Sequence, residues 1–131
     1  MANEAIQVEG PYEAHDFTVA TGTAVPQYTL MQLTDPRTAT ASDGDNLWAG
    51  IAATEKTATD GVTNLGLFTT GTFLLTASGA TIPDGAIVSL SGANFIKQAT
   101  EAEMVTGAVV GKALQDIAGG STGEVKIGVV A

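Results

Sequence analysis

The residues best suited to acid–base or metal chemistry are one histidine and a few scattered carboxylates. His15 is the only histidine among the 131 residues, and cysteine is absent. Proton transfer or nucleophilic catalysis usually needs a base that titrates near pH 7 beside a nucleophile, and zinc needs several nitrogen or sulfur ligands. One histidine supplies neither arrangement. The sequence therefore predicts no catalytic residue, no metal ligand and no cofactor-binding residue.

Three short patterns partly match motifs that bind phosphate, calcium or sugar. Gly107 and Gly111 stand before Lys112 with three residues between them, where a phosphate-binding loop has four, and alanine follows where that loop has a hydroxyl. The acidic segment that begins at Asp43 lacks the glycine and glutamate that a calcium loop needs at its sixth and twelfth positions. A pair of glutamates at 101 and 103 could serve glycoside hydrolysis, but one tryptophan gives little to line a sugar cleft. We therefore expect a protein that is not an enzyme.

The charge of the chain argues against nucleic acid as a partner. Fourteen acidic residues outweigh five basic ones, and the formal net charge is −9. The basic residues form no cluster, so a phosphate backbone would be repelled. No apolar run approaches the roughly 18 residues of a membrane span, and the N-terminus has neither the basic nor the apolar region of a signal peptide. We expect a soluble cytoplasmic product that contacts neither nucleic acid nor membrane.

Short apolar runs separated by glycine, proline and aspartate turns predict a mainly β fold. The segment 101–105 is ambiguous, and we favour a turn followed by a strand, because Gly107 and Gly111 would each weaken a helix by about 1 kcal/mol. About eight to ten short strands at this spacing are typical of a small single-domain β-barrel or sandwich. The predicted strands are 17–20, 28–34, 37–41, 48–54, 62–68, 73–75, 86–91, 95–98 and 124–130, with one more after 105.

The segment 47–77 returns in part near the C-terminus, which indicates that one supersecondary unit is used twice. Chance recurrence of small residues in a Gly- and Ala-rich chain is the alternative. If the repeat is real, we expect its two copies to form the two sides of one small barrel. With one residue inserted in the loop, the predicted matches are Gly50 with Gly111, Ala52 with Ala113, Gly61 with Gly123, Leu65 with Ile127, Gly66 with Gly128 and Leu67 with Val129.

Residues 1–16 predict an extended N-terminal arm ahead of a β-rich domain at 17–131. The arm carries four acids and no base, and Pro11 excludes a continuous helix or a central strand. Ile6 and Val8 alternate with polar residues, which suits addition to the edge of another sheet, and a frayed solvated terminus is the alternative. Only 15% of all residues are charged, so an isolated chain would expose apolar surface and we expect a homo-oligomer.

A series of glycine-led apolar segments runs through about residues 17–130. They are LWAGIAA from Leu47, VTNLGLF from Val62, TGTF from Thr70, DGAIVSL from Asp84, FIKQAT from Phe95, and the closing stretch from GKAL at Gly111 to GVV at Gly128. Together these segments resemble those of tailed-bacteriophage head decoration proteins, which are also called capsid cement proteins.

The resemblance implies a virion protein that binds the outer surface of the expanded capsid and stabilises it against internal DNA pressure. It also implies a homotrimer at threefold and quasi-threefold sites, with the N-terminal arm engaging the major capsid protein. The alternative is a virion or surface recognition module that binds a host glycan or another receptor through its loops. On the first hypothesis the candidate capsid-binding residues of the arm are Ile6, Val8, Tyr12, His15 and Phe17.

Overall fold

The computed structural model of the protein describes residues 3–44 and 46–128, and these are arranged mainly as short β-strands, which confirms the predicted fold class. Within them, no helix is long and apolar enough to cross a bilayer. The elements are β1 (Ile6–Glu9), β2 (Ala14–Thr18), β3 (Leu30–Asp35), β4 (Thr38–Ala41), β5 (Trp48–Ala52), β6 (Asn64–Phe68), β7 (Gly71–Ala77), β8 (Ile87–Leu90), β9 (Phe95–Gln98), α1 (Glu101–Thr106), β10 (Val109–Ala113) and β11 (Thr122–Ile127).

The strands β2 to β6 close into a five-stranded barrel with the order β2-β4-β3-β5-β6. Only β2 and β4 run parallel, and they meet through the single pair Thr18 and Thr38, whereas the other pairings are antiparallel. Small side chains suit the inside of so narrow a barrel. The buried residues of this first barrel are Val19, Val25, Met31, Ala39, Ala49, Ala52, Leu65 and Leu67.

The strands β7 to β11 form a second barrel, and β1 adds to it from outside. The sheet order is β1-β7-β11-β10-β8-β9, and a parallel pairing of β7 with β9 closes the ring. Alternation buries Val125 and Ile127 of β11 inside this barrel and leaves Lys126 in solvent. Leu30 and Ile51 of the first barrel belong to the same hydrophobic cluster as the core of the second. The two barrels therefore pack together as one domain.

The two barrels have the same strand topology. Each strand from β2 to β6 pairs as its counterpart from β7 to β11 does, including the parallel contact of β2 with β4 and of β7 with β9. The turns of the β3–β4 and β8–β9 hairpins both contain a residue with positive φ, at Arg37 (53°) and Asn94 (62°). A one-residue bulge recurs in β5 and β10, since Met31 and Gln32 face Gly50 and Trp48 while Val88 and Ser89 face Gly111 and Val109.

The internal repeat is therefore present, but part of its predicted register and its predicted role were wrong. The pair Ala52 and Ala113 is equivalent, as expected. Ala52 faces Leu67 whereas Ala113 faces Val125, so the counterpart of Leu67 is Val125 and not Val129, which lies outside the described residues. The loop at 114–121 is shorter than the loop at 53–63, not longer. The two copies also lie in different barrels and do not form two sides of one.

The segment predicted as a turn at 101–105 is the short helix α1. The Thr100 side chain accepts a hydrogen bond from Glu103 N, and the Glu103 carboxylate accepts one from Thr100 N at 2.8 Å. This capping box starts the helix. Gly107 ends it in the left-handed conformation, φ 85°, which glycine adopts without cost. The glycine that argued against a helix is thus its C-cap.

The predicted boundary after residue 16 does not coincide with the end of an element. β1 pairs with β7 of the same chain, and β2 runs across the boundary into the first barrel. Ala5 is buried, and its N–H donates to the Tyr28 carbonyl at 2.9 Å. The described part of the arm is therefore packed on its own domain. The last predicted strand is observed as β11, and the expected strand residues 129 and 130 lie outside the described residues.

Candidate functional site

The strand β1 is the outer edge of the six-stranded sheet, and we refer to Ile6–Glu9 as the β1 edge. It pairs antiparallel with β7, with Ile6 facing Leu74. All four of its residues are exposed, and Ile6 and Val8 are 54% and 44% accessible. Among the described residues no other strand pairs with it. An edge strand with exposed apolar side chains is a template for adding a strand from another protein.

One face of the β1 edge is tied to the body of the domain. Gln7 Oε1 accepts a hydrogen bond from the Tyr28 hydroxyl at 2.7 Å. Because side chains alternate along a strand, Ile6 projects from the face opposite to Gln7. Val8 lies at a bulge, where Gln7 and Glu9 face the consecutive residues Phe73 and Thr72. The structure thus holds both apolar side chains outward on an ordered backbone, so a partner that binds them does not have to order a free tail.

Tyr12 anchors the turn between β1 and β2 where the two barrels meet. Its ring centroid lies 5.5 Å from that of Phe68 in β6 and 5.4 Å from that of Phe73 in β7. A Cβ at Gly71 would overlap the Tyr12 ring, so glycine makes this contact possible. Burial, together with the nearby Glu9 carboxylate, raises the pKa of Tyr12 above its ordinary value. The phenol therefore stays neutral, and this candidate residue is half-buried in its own domain.

His15 and Phe17 lie on β2 and not on the β1 edge. His15 is exposed and faces Leu67 of β6. Phe17 is half-buried against the core of the first barrel, and the Arg37 guanidinium carbon lies 4.9 Å from its ring centroid. The five candidate residues thus occupy three places: an exposed sheet edge, an anchored turn and the rim of the first barrel.

A groove of about 510 Å³ separates the turn after β1 from the second barrel. Thr70 is one of its lining residues, and its Oγ1 accepts a hydrogen bond from Glu13 N at 3.0 Å and donates to the Pro11 carbonyl at 3.3 Å. Leu114, 47% exposed, and Lys126 come from the far end of the chain. Sequence reasoning missed this groove because only the docking of β1 on β7 brings these residues together.

Lys56 is a buried lysine whose ammonium group connects two loops of the first barrel. Its side chain is buried, and Nζ donates to the backbone carbonyls of Thr21, Thr23 and Thr57 at 2.8, 2.9 and 3.2 Å. Asp60 Oδ1 lies 3.8 Å from Nζ. The ammonium therefore joins the loop before β3 to the loop after β5, at one end of the first barrel.

The described residues include no group of three or more His, Asp or Glu side chains placed to hold a metal ion. Trp48, the aromatic side chain with the largest surface for stacking on a sugar, is half-buried and packs against the core of the second barrel. No protein-family model matches the chain, and no curated protein matches it. The exposed surfaces, above all the β1 edge, are therefore the candidate functional sites of the described residues.

Proposed function

We propose that the chain is a tailed-phage head decoration protein, which binds the outer surface of the expanded capsid and stabilises it against internal DNA pressure. The observation that carries the proposal is the β1 edge, where Ile6 and Val8 are exposed on a strand whose outer side pairs with no other strand in the described part of the chain. The resemblance of residues 17–130 to this family agrees with it. The partner is the major capsid protein, and its contact with β1 is strand addition.

Cementing a capsid depends on many modest contacts. In the proposed homotrimer, three copies of the β1 edge face three neighbouring capsid subunits at a threefold or quasi-threefold site. Once one copy is bound, the other two bind from a high effective concentration, which raises avidity by about 10²–10⁴-fold without new contacts. The binding free energy of the assembled lattice then opposes the outward pressure of packaged DNA.

Co-sedimentation with purified expanded capsids tests the proposal. Wild-type protein is expected to bind saturably. The double variant Ile6→Thr, Val8→Thr keeps β-branched residues on the strand and removes most of the exposed apolar surface, so it is expected to bind at least about 10-fold more weakly. Val105→Thr is the matched control, because Val105 is 87% exposed on α1 and is expected to leave binding unchanged.

Two outcomes would count against this function. Absence of saturable binding by the wild-type protein removes the cement function altogether. Equal binding by the wild type and the double variant, with unchanged unfolding midpoints, would show that the β1 edge does not contact the capsid. A different surface of the protein would then bind it.

A further inference from the structure

Equivalent strand edges of the two barrels differ in how much of their length is paired with another strand. His15 faces Leu67 as Phe73 faces Val125, so residues 14–16 of β2 correspond to 72–74 of β7. In the second barrel β1 pairs with residues 72–74, and β9 pairs with the C-terminal part of the same strand edge. In the first barrel β4 pairs with β2 through Thr18 alone. Among the described residues no strand covers residues 14–16 on this side.

The backbone at the open edge is oriented to accept a strand. Thr18 N donates to the Arg37 carbonyl at 2.7 Å, and the Asp16 carbonyl accepts from Arg37 Nη2 at 2.6 Å, so both groups point to the β4 side. Alternate residues of a strand direct their N–H and C=O groups to the same side. Ala14 and Asp16 therefore present backbone groups to the open edge, and residues 14–16 are all exposed.

Arg37 partly covers this edge with its side chain. The equivalent residue in the second barrel, Asn94, is buried, and its Nδ2 donates to Glu4 Oε2 at 3.3 Å just before β1 begins. The second barrel thus fastens a covering strand at this place. The first barrel has an exposed arginine there, whose guanidinium binds the Asp16 carbonyl in the absence of a strand. A charged side chain on an edge is a common protection against unwanted pairing, and a matching strand can displace it.

We propose that residues 14–16 of β2 are a docking site for an extended basic segment of a partner protein, which adds antiparallel to β2 at the place that β1 takes on β7. The exposed acids Glu13 and Asp16 favour lysine or arginine on that segment. The β1 strand of a second copy is disfavoured, because it contains Glu9, follows Glu4 and carries no base. This inference goes beyond the proposed function and does not require the partner to be a capsid protein.

The test uses the full-length ¹⁵N-labelled protein and two synthetic peptides. The probe is NKAIQVKG, which copies residues 3–10 with both glutamates replaced by lysine, and the control is the native NEAIQVEG. The probe is expected to shift the amide signals of Ala14 and Asp16 and to slow their hydrogen exchange. The control peptide is expected to bind about 10-fold more weakly at low salt, since like charges then face one another.

Two variants sharpen the test. Arg37→Asn copies the residue of the second barrel, tolerates the positive φ and frees the Asp16 carbonyl, so it is expected to bind the probe more tightly. Asp16→Pro removes an N–H at the open edge, where proline is tolerated, and is expected to abolish binding.

Four results would overturn the proposal. The first is no amide shift at millimolar probe in either the wild type or Arg37→Asn. The second is shifts at Thr72 and Leu74 instead, which mean that the probe replaces β1 on β7. The third is equal binding of the two peptides, which would show that the site does not select a basic segment. The fourth is protection of Ala14 and Asp16 in Arg37→Asn without peptide, together with dimerisation, which makes a second copy the occupant.

Discussion

Replacing Lys56 with methionine tests whether its buried ammonium stabilises the first barrel. Methionine keeps most of the apolar stem and loses the charge. A hydrogen bond from a charged donor contributes about 1.5–3 kcal/mol, and Lys56 Nζ makes three of them. The cost of burying the ammonium offsets much of this sum. The three threonines that supply the carbonyls are exposed residues, so we expect water to replace part of the lost hydrogen bonding. We expect a net loss of about 2–3 kcal/mol in the free energy of unfolding.

Urea denaturation, followed by Trp48 fluorescence and by circular dichroism, measures this loss. The midpoint is expected to fall by about 1–2 M with an unchanged m-value, and the thermal midpoint by about 8 °C. Lys126→Met is the matched control, because Lys126 is an exposed lysine on β11 and its replacement is expected to change stability by less than about 0.5 kcal/mol.

The repeat supplies a second variant at the same position. The bridge between Val25 and Lys56 in the first barrel corresponds to the bridge between Ile82 and Ile117 in the second, so isoleucine occupies the equivalent place there. Lys56→Ile is expected to be less stable than the wild type for the same reason as the methionine variant. If both variants are as stable as the wild type, the three hydrogen bonds only offset the burial of the charge, and the reasoning is refuted.

Two further predictions concern packing and pH. Gly111→Ala places a Cβ against the backbone of β11 at Lys126 and is expected to lower stability by about 3 kcal/mol. Gly79→Ala is the control and is expected to be nearly neutral, because a Cβ added there has no neighbouring atom within 4 Å. Equal urea midpoints for the two variants would contradict the close approach of β10 and β11. Burial opposes ionisation of Glu103, but hydrogen bonds from Thr100 and Lys97 lower the pKa of its carboxyl below its ordinary value. Its stabilising contribution is therefore full above about pH 4.5 and is lost as the pH falls through the lower folded value. Between about pH 6 and pH 3 the wild type should lose more stability in urea melts than Glu103→Gln, and parallel losses would contradict this assignment.

Local patterns in the sequence predict most strands because their causes are local. The turn at 82–85 and the hairpin at 86–98 follow from glycine and proline positions and from short apolar runs, and β8 and β9 are observed there. The turn predicted at 101–105 is wrong, because Thr100 and Glu103 form a capping box, which starts the helix α1. Both signals are contained in a few consecutive residues.

The closure of two barrels depends on contacts that no local pattern contains. A single parallel pair, Thr18 with Thr38, closes the first ring. The repeat is obscured because equivalent positions differ in chemistry, as Tyr28 and Gly85 do, although the N–H of each donates at 2.8 Å to the alanine carbonyl that ends β5 or β10. Only the pairing register shows these residues to be equivalent.

Only the local features of the candidate surface can be predicted from the sequence. Alternation of Ile6 and Val8 with polar residues predicts a strand that suits edge addition, and both side chains are exposed on β1. The docking of β1 on β7, far along the chain, could not be read from it, nor could the separation of His15 and Phe17 onto β2. The open edge at residues 14–16 becomes visible only when the two barrels are compared.

Electron cryo-microscopy of expanded capsids saturated with the protein tests the proposed function most directly. We expect threefold-symmetric density of three copies on the outer surface at threefold and quasi-threefold sites, with β1 next to a strand of the major capsid protein. Capsids that remain bare at saturating protein, or density that places β1 away from the capsid, would contradict it.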